Sequence, residues 1–304
     1  MKAVGVVLIL LLLFPPSISA QSTAKLTLLE GSVRVIRGTT VFRGIEGIEL
    51  RQGDMLESSE GGFVQFEFPG GTIVALGPST KVFLYRLGAT PRSARSRQGP
   101  SGNLVLLTGW LKGESNPESG TYRYSTPSIT VATGNGAVIF HLDSEGCDAN
   151  IEAGSAGVGE TSSDGSWQQT ASAKAGQFLS KRAGKNLTTS TLPSEAFVKA
   201  MPQAFKDTLP PRTAHFQGKK PLEPKPDHPV VYADLQPWLT LPIAWRQGFV
   251  ERFEPLLHDR DFRREIGAHL AQYPEWDPIL HPEKYRQENP PPANNPGKPN
   301  EVKP

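Results

Sequence analysis

The chain has 304 residues, with 32 Lys and Arg against 30 Asp and Glu and a formal net charge of +2. That balance excludes the basic surface that non-specific nucleic-acid binding needs, and it gives no pull toward acidic polymers. The one cysteine, Cys147, excludes both an internal disulfide and a multi-cysteine zinc cage.

The N-terminal segment 1–20 reads as a cleaved secretory signal. Lys2 supplies the positive start, Val4 to Phe14 is apolar apart from Gly5, and Pro15 and Pro16 precede the small residues Ser17, Ser19 and Ala20. The apolar run is well short of the ~20 residues that a spanning helix needs. We expect the cut after Ala20, and no membrane span is expected in the mature product.

Residues 25–184 predict a β domain. Val33 and Val35 flank Arg34, and Val64, Phe66 and Phe68 alternate with Gln65 and Glu67. Ile129 and Val131, then Val138, Phe140 and Leu142, repeat the pattern. A period of two sends alternate side chains to opposite faces of a strand. Breakers separate the runs at Gly53-Asp54, Glu60-Gly-Gly62, Pro69-Gly-Gly71, Gly77-Pro78 and Gly134-Asn-Gly136. Many short strands at this spacing predict a mainly β fold, a sandwich-like or solenoid-like stack. Within it, Pro91 to Gly102 has no apolar anchor and reads as a loop. Its Arg92, Arg95 and Arg97 are solvated charges or contacts to a phosphate or acidic glycan.

From Leu187 the texture changes. Segment 185–229 predicts a short helix from Ser194, the N-cap, to Met201, then a proline-rich connector, which could also lie along the β domain. Residues 230–286 predict a small helical unit. Ala244, Phe249, Val250 and Phe253 recur at helical intervals, and Phe262, Ile266 and Leu270 form a stripe after Asp259. So small a unit has little core of its own. It predicts either docking on the β domain or a partner. On the second reading the partner-binding residues are Trp238, Trp245, Arg246, Phe249, Arg252, Phe253 and Trp276, because aromatic and Arg side chains dominate interface hot spots. Residues 287–304 are proline-rich and polar and predict a disordered tail.

No catalytic set is legible. None of His141, His215, His228, His258, His269 and His281 sits in an HExxH motif, and no metal or other cofactor is expected. His141 and Asp143 share one face of a strand and are the candidate pair for a hydrolase. Cys147 and His141 are near in sequence, but Glu145 and Asp148 would disfavour a thiolate. No GxSxG elbow or phosphate-binding GxxxxGK[ST] loop is present. Asn186-Leu-Thr188 matches a glycosylation tripeptide and is read as incidental.

In order, Gly31-Ser-Val-Arg-Val35, Gly53-Asp54, Phe63-Val-Gln-Phe-Glu-Phe68, Gly71-Thr-Ile-Val-Ala-Leu-Gly-Pro-Ser-Thr80, Thr126-Pro-Ser-Ile-Thr-Val-Ala-Thr133 and Ala175-Gly-Gln177 resemble the FecR domain, an all-β module of bacterial envelope proteins. The resemblance implies a solenoid-like stack and a scaffold or sensing role in the periplasm. The chain departs from the signalling members of that family, which carry a cytoplasmic N-terminal part and a spanning helix. It also has Thr133-Gly-Asn-Gly-Ala137 where members often have an Arg-Gly-Thr turn. The sequence therefore predicts an exported periplasmic binding or scaffold protein that recognises an envelope protein or a cell-wall glycan. A hydrolase of cell-wall polymers and a purely structural envelope component are the alternatives.

Overall fold

The computed structural model describes residues 23–88, 101–220 and 222–286. The expected leader, the loop residues Arg92, Arg95 and Arg97, and the tail beyond 286 lie outside the described residues. No helix among the described residues is long and apolar enough to cross a membrane.

Strands dominate the first two thirds of the chain, and short helices gather at its end. The first sheet runs, in spatial order, through β4 (Glu49–Leu50), β1 (Ala24–Glu30), β6 (Phe63–Glu67) and β7 (Ile73–Leu76) to the second half of β9 (Gly102–Ser115). It continues through β12 (Gly136–Leu142), the first half of β13 (Gly146–Glu160), β15 (Phe178–Arg182) and β16 (Thr188–Ser190). The second sheet starts with β17 (Lys225–Pro229), β3 (Thr40–Arg43), β2 (Val33–Arg37), β5 (Met55–Ser58), β8 (Lys81–Leu87) and the first half of β9. Then follow β10 (Tyr122–Ser125), β11 (Ile129–Thr133), the second half of β13 and β14 (Ala171–Lys174). All pairs are antiparallel except β9 with β10. The chain crosses between the sheets repeatedly, so the stack is a sandwich in its layers and solenoid-like in its winding.

Two long strands tie the sheets together. β9 leaves the second sheet at Thr108 and enters the first at Gly109; β13 crosses the other way after Gly154. At Gly109 the backbone has φ of +93°, and an added Cβ would lie 2.6 Å from Thr80 Cα. Only glycine makes that corner without strain.

Between the sheets lies an apolar core that includes Leu26, Val35, Phe66, Leu84, Leu104, Val131 and Phe140. Both outer faces are apolar as well. The first sheet presents Phe63, Ile73, Ala75, Trp110, Ile139 and Phe178 outward, where Phe197, Phe205 and Leu209 cover them. The second presents Ile36, Val41, Met55, Phe83 and Val105, where the helical unit covers them. Strands buried on both faces read as near-continuous apolar runs rather than clean alternation. Val82-Phe-Leu-Tyr85 and Leu104-Val-Leu-Leu107 have that character.

The 185–229 segment is a strap along the β body. Its first element is α1 (Glu195–Ala200), capped by the Ser194 hydroxyl, which accepts from Phe197 N at 3.2 Å. Further on, the buried Glu67 carboxylate accepts from Arg212 N at 2.7 Å, from Thr213 N at 3.1 Å and from the Thr213 hydroxyl. The strap ends as β17, an edge strand whose Pro226 and Pro229 suit an edge because proline has no N–H to donate.

The helical unit opens with α2 (Tyr232–Leu235), and the stretch after Pro242 breaks into α3 (Ile243–Arg246), α4 (Phe249–Phe253) and a 3₁₀ turn (Glu254–His258), because Gly248 and Pro255 interrupt helix formation. Asp259 caps α5 (Arg260–Ala268), accepting from Phe262 N at 2.8 Å, and Phe262 and Ile266 are buried along its inner stripe.

Candidate functional site

Six of the seven aromatic and arginine residues proposed for partner binding lie inside the molecule, and the seventh, Arg252, is half-buried. Trp238 and Trp276 are fully buried, and Trp238 Nε1 donates to Glu57 Oε1 at 3.1 Å. Phe249 meets Phe83 edge-on at 5.6 Å and Phe253 at 5.7 Å. Arg246 donates to Glu275 Oε1 and to Gln272 O. Arg252 donates to the carbonyls of Gly38, Gly53 and Ile36 at 3.0, 2.6 and 2.9 Å. Burial pushes the Arg252 guanidinium down to about 10. As a set these seven residues are therefore not an exposed recognition surface. The outer face of the second sheet needs an apolar cover, and they provide it.

The hydrolase pair is also placed. His141 Nδ1 and Asp143 Oδ2 are 3.8 Å apart, too far for a hydrogen bond, and the imidazole stacks on Trp110 at 4.2 Å. Burial lowers the His141 pKa, with Asp143 opposing. Asp143 Oδ1 is engaged by the backbone N–H groups of Glu145 and Gly146 at 2.8 and 3.2 Å, which makes it a turn residue. Cys147 is fully buried, and burial foremost pushes its thiol up to about 12. Among the described residues, no group of three or more His, Cys, Asp or Glu is arranged to hold a metal ion.

A different place collects binding chemistry: a cleft of about 460 Å³ at the seam between the second sheet and the helical unit. Its floor comes from β8, β9 and β10. Tyr122 and Tyr124 point into the core, so the pleat turns Arg123 outward. One wall is the turn Gly165-Ser-Trp167 between β13 and β14; the other is Ala244 and Trp245 of α3. Three hydrogen bonds hold these parts together. Tyr85 Oη donates to Ala244 O at 3.0 Å, Ala244 N donates to Asp164 O at 3.2 Å, and Ser166 N donates to Asp164 Oδ1 at 2.9 Å. Gly165 has φ of +86°, and an added Cβ would sit 3.1 Å from Trp245 Nε1, so the turn closes on α3 only with glycine there.

Two arginines share the cleft. The Arg123 guanidinium lies 4.7 Å over the Trp167 ring, and Arg86 lies 5.2 Å over Tyr85. Among the described residues, no carboxylate lines the space. Arg123 Nε and Trp167 Nε1 are shut off from solvent without an acceptor. Burial, and next the Arg86 charge, lower the Arg123 pKa. Asn103 and Ser125 add an amide and a hydroxyl, joined by a 3.1 Å hydrogen bond. Of the seven residues singled out from the sequence, Trp245 lines this cleft. Arg86, Arg123 and Trp167 escaped notice there, although the alternation in Tyr122-Arg-Tyr-Ser125 already points Arg123 away from the core.

No protein-family model matches the chain, and no curated protein matches it. Two crystal structures of a candidate anti-sigma factor from Parabacteroides distasonis ATCC 8503 are similar to it at 13% identity, with TM-scores of 0.35 and 0.36. The match covers 45% and 48% of this chain and 59% and 64% of those structures, so the chain spans less than two thirds of their length.

Proposed function

We propose that the protein is an exported binding or scaffold component of the bacterial envelope that captures a cell-wall glycan without turning it over. The observation that carries this reading is the seam cleft, where two arginines, aromatic rings and neutral amide and hydroxyl groups converge, with neither a carboxylate partner nor a nucleophile–base pair among the described residues. Clefts of several hundred Å³ with a few convergent polar groups are the ordinary form of a ligand site. The leader supports the compartment, and the FecR resemblance supports an envelope role. Recognition of an envelope protein is the second reading, favoured by the short polar edges β14 and β16, which offer backbone groups for strand addition.

Pelleting of the purified mature chain with peptidoglycan sacculi tests the reading, with the supernatant analysed for released fragments. We expect co-sedimentation without release. Release of soluble fragments overturns the binding function in favour of a hydrolase. Absence of co-sedimentation, together with crosslinking to one envelope protein, moves recognition to the sheet edges. N-terminal sequencing of the exported protein checks the compartment and is expected to begin at Gln21.

A further inference from the structure

We propose that the seam cleft is an oxyanion site that takes the carboxylate of an acidic sugar, with Arg123 as the principal contact and Arg86 as the charge at its mouth. The inference rests on the binding function above and adds the chemistry of the ligand.

A partly buried guanidinium normally has a carboxylate or backbone carbonyl to donate to, because an unpaired cation loses solvation without recompense. Elsewhere on the second sheet the rule is kept. Arg34 pairs with Glu57 and Asp234, Arg37 with Asp54 and Lys81 with Glu57. In the cleft the half-buried Arg123 breaks it: it shares the space with the exposed Arg86, and among the described residues no acidic side chain lines it. The Trp167 ring stabilises the Arg123 face through its π-system but supplies no acceptor to its N–H groups.

Geometry narrows the class. A guanidinium stacked by its face presents its N–H groups in the plane, and a planar carboxylate or a phosphate matches that fork. Asn103, Ser125 and Ser166 line the same space as neutral donors and acceptors, which suits hydroxyls, while Tyr85 and Trp245 offer ring surface. A carboxylated sugar combines these features. A phosphorylated one shares the oxyanion but has a different source.

Isothermal titration of the purified mature chain distinguishes them, with N-acetylmuramic acid, inorganic phosphate and N-acetylglucosamine as probes. We expect N-acetylmuramic acid to bind at least about tenfold more tightly than N-acetylglucosamine, as charge-assisted bidentate pairing implies. Arg123→Gln is expected to weaken it about tenfold or more, and Arg86→Gln, an exposed change that leaves packing intact, severalfold and in a salt-dependent way. Phosphate bound more tightly than N-acetylmuramic acid, with the same variant losses, supports the oxyanion site and assigns it to a phosphorylated ligand. Equal affinity for the neutral sugar, unchanged affinity in both variants, or no binding of any probe overturns the site. Sacculi that still pellet with a wild-type chain unable to bind the probes leave the function standing and remove the cleft. Fragment release removes the function and leaves the cleft to its calorimetry.

Discussion

The Lys112 ammonium donates to the carbonyl of Phe205 at 2.9 Å from a position only 2% exposed to solvent. The same nitrogen donates to Asp207 O at 3.0 Å and pairs with Glu152 at 2.6 Å and Glu114 at 3.2 Å. Glu114 Oε1 in turn accepts from Leu209 N at 3.0 Å. A charge on the outward face of β9 thereby fastens the strap whose Phe205 and Leu209 cover the first sheet.

Replacing Lys112 by Met is expected to destabilise the protein by about 3–5 kcal/mol, because two carboxylates and two strap carbonyls lose a shared donor. Urea unfolding checks this through a lower midpoint. An unchanged midpoint would show that the strap is held by its apolar contacts alone.

Glu67 makes the strap pH-sensitive. Burial raises its pKa, but donors from Thr213, Thr27 and Arg212 outweigh that and hold the carboxyl below its ordinary value of 4.5. A folded-state pKa below the unfolded one contributes stability that is full above the unfolded value and lost as pH falls through the folded value. Thermal melts of wild type and Glu67→Gln should therefore differ most at neutral pH and converge only as pH falls below the ordinary carboxyl value of 4.5. A constant gap across that window would contradict the assignment.

Removing the C-terminal cover should expose the sheets. A chain ending at Pro229 uncovers Ile36, Met55, Phe83 and Val105; one ending at Gly184 also uncovers Phe63, Ile73 and Trp110. Exposed apolar faces of this kind drive association. Both truncations are expected to bind a hydrophobic dye and to aggregate, as size-exclusion chromatography would report. A monomeric, dye-silent truncation would mean that the β domain stands alone.

Cys147 is expected to be inert. Its thiol is buried and pushed up to about 12, mainly by burial. Ellman titration should find no reactive thiol in the native protein and one equivalent in denaturant. Rapid native reaction would place the thiol at the surface.

The sequence by itself determined the β class through its two-residue periods, the N-cap Ser194 through residue chemistry, and the Phe262–Ile266 stripe through helical spacing. Each is a local property, read from neighbours a few positions apart. It also left the role of the aromatic unit open between docking and recognition. Only the tertiary structure decided that, because whether an apolar stripe has a partner within the chain depends on contacts such as Trp238 with Glu57, 181 residues apart. The seam cleft is non-local in the same way. Arg86, Arg123, Trp167 and Trp245 come from four separate elements, and no spacing rule joins them. Charge shows the limit most clearly: the composition balances almost to neutrality, yet Arg123 meets no carboxylate among the described residues, because folding, and not composition, decides which charges meet.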